Sequence, residues 1–133
     1  TQDYLIIDEL TYRFRNPSRY EVIVFKAPNH LDQYYIKRVI GLPFETIEIK
    51  NGQITITNTE GGSFSLQEDF LPEGVNTAGS LELTLNKNQY FVLGDNRVAS
   101  YDSRNWGPVE ESLIIGRVWL RLWPFQKIVA YGL

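Results

Sequence analysis

The chain has 133 residues and a mass of 15.4 kDa, the size of one domain. Hydrophobic residues make up 43% and charged residues 22%, which excludes a disordered chain, and a formal net charge of −3 argues against a general nucleic-acid binder. The absence of Cys excludes a disulfide scaffold, a thiolate metal site and a Cys nucleophile, while the single His30 leaves only thin versions of a Ser-His-Asp triad or a multi-His metal site.

Period-two alternation dominates, and it predicts strands over Tyr4–Leu10, Glu21–Phe25 and Tyr34–Ile40. His30, in Ala27-Pro28-Asn29-His30, reads as a loop residue. Strands over Thr46–Lys50 and Gln53–Thr57 flank Asn51-Gly52, a hairpin signal because both residues tolerate positive φ. Residues 58–80 read as a loop-rich insertion into the single domain 1–133, with four glycines and only acidic charges. Leu81–Leu85, Tyr90–Leu93 and Leu113–Leu122 complete a mainly β pattern. No stretch approaches the roughly 20 apolar residues that span a bilayer. With no Met anywhere, the chain reads as a segment of a longer product, so any anchor would lie outside it.

Two segments carry chemistry. In Tyr35-Ile36-Lys37-Arg38-Val39-Ile40-Gly41-Leu42-Pro43, Tyr35, Lys37 and Val39 share one strand face and Ile36, Arg38 and Ile40 the other. A lysine among apolar neighbours loses stabilisation of its charged form and can serve as a base, which a guanidinium cannot. The same spacing also fits cations snorkelling from an edge strand. The second segment, Gly94-Asp95-Asn96-Arg97-Val98-Ala99-Ser100-Tyr101-Asp102-Ser103-Arg104-Asn105-Trp106-Gly107, follows an apolar strand. Its Asp and Arg residues can fix one another, and its serines can orient an amine; a hydrogen-bonded turn cluster is the plainer reading. Arg97 and Arg104 among the carboxylates oppose a Ca²⁺ loop.

Together these segments resemble type I signal peptidases, the membrane-bound Ser/Lys proteases that release secretory preproteins. The lysine segment matches the family pattern Y-[IV]-K-R-V-I-G-L-P-G-[DE] through Pro43, and G-D-N-R-x-x-S-x-D-S-R-x-x-G-x-V is met from Gly94 to Val109. Tyr4-Leu5-Ile6-Ile7-Asp8 is similar to the strand after the family's catalytic serine segment. The resemblance implies a signal-peptidase-like antiparallel β-sheet domain with Lys37 as general base, Ser100 orienting it, and Asp102 and Arg104 as a supporting ion pair. Gly94, Asp95, Asn96, Arg97, Ser103 and Gly107 fill motif positions of structural character. It implies preprotein substrates with small residues before the cut, no metal or organic cofactor, and work at the extracytoplasmic membrane face. Phe44 departs from the pattern's Gly, so a different turn is expected after Pro43. The family's serine segment, S-M-x-P-T, is not in this sequence. Among Ser18, Ser63, Ser65, Ser80, Ser100, Ser103 and Ser112 none has the nucleophile's context, so the chain by itself is expected to be inactive. A peptide-binding β module and a LexA-like self-cleaving domain are the competing readings.

The last predicted strand carries a separate signal. Alternation puts Ile114, Gly116, Val118, Leu120 and Leu122 on one face and Ile115, Arg117, Trp119, Arg121 and Trp123 on the other. Arg117, Trp119, Arg121 and Trp123 fit a lipid interface, or equally a cross-strand Arg–aromatic ladder.

Overall fold

The structure, a computed structural model, describes residues 5–121. Among the described residues there are ten strands: β1 (Leu5–Asp8), β2 (Val22–Ala27), β3 (His30–Gly41), β4 (Thr46–Lys50), β5 (Gln53–Thr57), β6 (Ser63–Ser65), β7 (Leu81–Thr84), β8 (Gln89–Leu93), β9 (Val109–Glu110) and β10 (Ile114–Arg121). One helical turn, α1 (Ser103–Trp106), precedes β9. The strands make a six-stranded sheet in the order β1-β10-β2-β3-β8-β9 and a four-stranded sheet in the order β6-β5-β4-β7, with antiparallel pairing throughout. The expectation of a mainly β, antiparallel fold is met.

Alternation builds both sheets. In the small sheet Ile47, Ile49, Ile54 and Ile56 point inward and join Ile40, Leu85, Phe91 and Leu93 in one core cluster. Burying each such side chain contributes about 1.5–3 kcal/mol. The β4–β5 hairpin forms over the predicted ranges, with Asn51 at φ 53° and Gly52 at φ 79°. The other face of the large sheet carries the second cluster, Ile23, Phe25, Val39, Tyr90, Val92 and Val109.

Several expectations are corrected. The first strand stops at Asp8 because its carboxylate accepts the N–H groups of Leu10 and Thr11, at 3.0 and 3.1 Å, and turns the chain. His30 opens β3 instead of lying in a loop, since it pairs with Ala27 across the hairpin. Residues 58–80 stay loop-rich, apart from β6, which extends the small sheet by pairing with β5. The simple two-face reading of the last strand fails, because β10 bulges twice. Ile114 pairs with Phe25 but Gly116 with Val24, so Ile115 is extra and Ile114 shares a face with Arg117. Against β1, Trp119 falls at the second irregularity, between Val118 and Leu120. Gly116 permits this close crossing, since a Cβ there would lie 2.5 Å from Asp8 O.

Candidate active site

Lys37 sits in the middle of β3, on the face of Tyr35 and Val39 and opposite Ile23 of β2. It is only 5% exposed. Burial pushes its ammonium pKa below the ordinary 10.5, the nearby Asp102 carboxylate opposes that shift, and the Arg104 cation adds to it. Its sequence neighbour Arg38 projects to the opposite face, where Asp95 grips it bidentately: Nε–Oδ1 is 2.9 Å and Nη2–Oδ2 is 2.7 Å. The two adjacent cations thus meet opposite environments.

The segment 94–107 leaves the end of β8 and folds back over the Lys37 face. Asn96 O closes its first turn by accepting the N–H groups of Ala99 and Ser100, at 3.2 and 2.8 Å. Ser100 is partly buried in this turn. Asp102 is completely buried and caps α1. Its Oδ1 accepts Arg104 N at 3.1 Å and Arg104 Nε at 2.9 Å, while its Oδ2 accepts Arg104 Nη2 at 2.8 Å and Gly94 N at 3.0 Å. Asp102 and Arg104 therefore pair across the N-cap of α1. Asn105 completes the capping box by accepting Asp102 N at 3.1 Å. Gly107 ends the turn at φ 88°, in the region where glycine is favoured.

The remaining motif residues hold this loop to the sheet. Ser103 Oγ accepts Val92 N at 3.0 Å. Arg97 is fully buried, and its guanidinium donates to Gly94 O at 2.9 Å, to Thr77 Oγ1 at 2.8 Å and to the Glu68 carboxylate. Trp106 packs against Phe25 and Tyr35, with all three ring centroids about 6 Å apart, and docks α1 on the lysine face. Glu68 and Thr77 are partners that the sequence reading missed. They lie 29 and 20 residues from Arg97, and nothing in their local pattern marks them.

The turn after Pro43 holds Phe44 at φ 71°, a conformation glycine would favour. Glu45 braces it by accepting Leu42 N at 2.7 Å and a bidentate pair from Arg19 at 2.7 Å for each bond. At the far edge of the sheet Trp119 is 62% exposed. Arg117 turns to Asp8, at 2.8 Å, and Glu21, at 3.4 Å. The Arg121 side chain and Trp123 lie outside the described residues. Among the described residues there is no cluster of metal-ligating side chains and no helix long and apolar enough to cross a membrane.

A buried amine whose charge is disfavoured, beside a loop bearing a hydroxyl and locked by ion pairs, is suited to proton abstraction. A family model described as "Signal peptidase, peptidase S26" matches residues 1–123. "Signal peptidase I" of Leptolyngbya laminosa is 35% identical over 98% of this chain and 64% of its own. "Probable signal peptidase I-2" of Synechocystis sp. is 35% identical over 95% of this chain and 57% of its own. The chain thus spans less than two-thirds of the length of these curated relatives. The crystal structure of a signal peptidase I from Enterococcus faecalis V583 superposes with a TM-score of 0.64 at 32% identity, covering 77% of this chain and 96% of that one.

Proposed function

The chain belongs to the signal peptidase family, peptidase S26, and from that premise we propose that it is the lysine-bearing β-domain of a serine endopeptidase that removes signal peptides from secretory preproteins. The observation that carries this reading is the buried Lys37, whose charged form is destabilised at the point where the Asp102–Arg104 loop closes on it. Lys37 is the general base and Ser100 the hydroxyl that orients it. Asp102 and Arg104 keep that hydroxyl in place. The nucleophile is the hydroxyl of the serine segment that the family carries ahead of the β1 strand. Neutral Lys37 takes the serine proton as the oxygen attacks the scissile carbonyl. The resulting ammonium protonates the departing amine, and the neutral amine then activates water to release the acyl group. These steps use side chains and water alone.

The domain works at the extracytoplasmic membrane surface, and the exposed Trp119 supports contact with lipid. In this reading 1–133 is one catalytic domain and 58–80 is an elaboration of it.

The test uses the chain extended upstream through its serine segment. The extended protein is expected to cleave a detergent-solubilised preprotein after small residues, with activity lost as pH falls through the lowered lysine pKa. Lys37→Ala and Lys37→Arg both abolish turnover, because neither supplies a neutral amine; general-base catalysis alone is worth about 10²–10⁴-fold. The 133-residue chain without that segment remains inactive. Signal-site cleavage by that chain would reassign the nucleophile, with Ser100 the first residue to replace.

A further inference from the structure

Residues 66–78 run between β6 and β7 with almost no secondary structure, yet their contacts are selective. At both ends the segment is tied to the small sheet, Leu66 N donating to Ile54 O at 2.9 Å and Thr77 N to Gly52 O at 3.1 Å. Along its length it reaches three arginines that surround the lysine site. Phe70 lies under the Arg38 guanidinium, 4.3 Å from ring centroid to Cζ. Glu68 and Thr77 take the buried Arg97. Ala78 O accepts Arg104 Nη1 at 3.0 Å, opposite the edge of that guanidinium that Asp102 holds.

Each contact falls on a different support of the site. Arg38 follows Lys37 in β3 and grips Asp95. Arg97 spans the first turn of the loop through Gly94 O. Arg104 closes on Arg97 O at 2.7 Å as well as on Asp102. Glu68 matters most, because its partner is wholly buried and an arginine left without its carboxylate there is costly.

We infer that residues 66–78 form a strap that clamps the Ser100–Arg104 loop against β3, and that Glu68 is a positioning residue for the Lys37 base. This deepens the signal-peptidase reading and rests on it for its catalytic consequence. The small sheet, remote from the lysine, then serves the site by anchoring the strap. Loosening the strap admits water to Lys37, where burial is the main influence on protonation and Asp102, Arg104 and Asp95 are the charges that act on it.

The experiment has two readouts. In the 133-residue chain, Lys37 Nζ is titrated by NMR for the wild type, Glu68→Ala, Glu68→Gln, Thr77→Val and the small-sheet core variant Ile56→Val. Glu68→Ala is expected to raise the Lys37 pKa by about half a unit, with Thr77→Val moving it less in the same direction. Ile56→Val lowers the melting temperature without moving it. In the upstream-extended protein, Glu68→Ala lowers kcat about tenfold with KM nearly unchanged, and Glu68→Gln recovers part of it. Lys37 titration and kcat at wild-type values in both Glu68→Ala and Thr77→Val overturn the strap, even if the melting temperature falls. Should Glu68→Ala not fold, Glu68→Gln and Thr77→Val decide by the same two readouts. If the wild-type extended protein cleaves no preprotein, the signal-peptidase reading fails, while the titration still judges the strap on its own.

Discussion

The large sheet carries two clusters of arginines and carboxylates. At the edge where β1, β10 and β2 meet, Asp8 and Glu21 bind Arg15 and Arg117, and Tyr12 and Ser18 N add hydrogen bonds to Glu21 at 3.0 and 2.8 Å. Its arginines are the open side, Arg15 41% and Arg117 29% exposed, over carboxylates no more exposed than Asp95 and Glu68. Around the loop 94–107, Asp95, Asp102 and Glu68 meet Arg38, Arg104 and Arg97, and Arg97 and Asp102 have no exposed side-chain surface. The same residue types therefore do different work. Exposed pairs contribute little because water competes for both partners. Buried pairs are costly to break, since the survivor keeps its desolvation penalty. Of the charges that act on Lys37, the Asp102 and Asp95 carboxylates favour its ammonium and Arg104 opposes it, and burial outweighs them in lowering the pKa.

The sharpest way to break this contrast is Asp102→Ala. It strands the Arg104 guanidinium and Gly94 N, and is expected to cost about 3–5 kcal/mol in chemical denaturation together with nearly all turnover of the extended protein. Glu21→Ala at the open edge should lower the melting temperature far less. Equal losses in the two variants would erase the distinction.

A second test uses acid. Burial pushes the Glu21 carboxyl up, but Arg15, Ser18 N and Tyr12 outweigh it and hold the group at about 2, against 4.5 ordinarily. A carboxyl depressed in the folded state contributes stability above pH 4.5 that is lost as the pH falls toward 2. The melting temperature should therefore fall through that window. Glu21→Gln should flatten the slope; an unchanged slope would remove the open cluster from the acid response.

The smallest effect belongs to a turn governed by backbone strain, not by charge. Phe44→Gly relieves a left-handed φ at a residue that is 54% exposed, and should stabilise the chain by about 0.5–1 kcal/mol. A loss of stability would mean that the ring contributes more than its exposure suggests.

Much of this was legible in the sequence, for definite reasons. Alternation located the strands because each sheet buries one continuous set of side chains, and Asn51-Gly52 located the hairpin because few residue pairs accept its backbone. Lys37 stood out as a cation among apolar neighbours, and the 94–107 segment because its polar groups follow directly on a core strand. What escaped were features without a local signature. The strand pair β8–β9 is only two residues long on the β9 side. The bulges of β10 reverse face parity without any change in composition. That Asp102 caps α1 also escaped, because capping depends on the fold of the next four residues. Glu68 joins Arg97 across 29 residues, a distance at which only the tertiary fold selects a partner.

The strand order also governs how such a chain is made. β10 lies between β1 and β2, although β1 and β2 come first in the chain. During synthesis the β2–β3 and β4–β5 hairpins can close as they emerge, since their partners are near in sequence. β1 cannot dock until residues 114–121 have left the ribosome and slotted in beside it, Leu5 meeting Arg121 across the whole length of the described chain. The large sheet is therefore finished last, at its β1 edge. An immature chain carries its lysine strand early but lacks the completed framework around it, so the order of translation itself delays the assembly of the site.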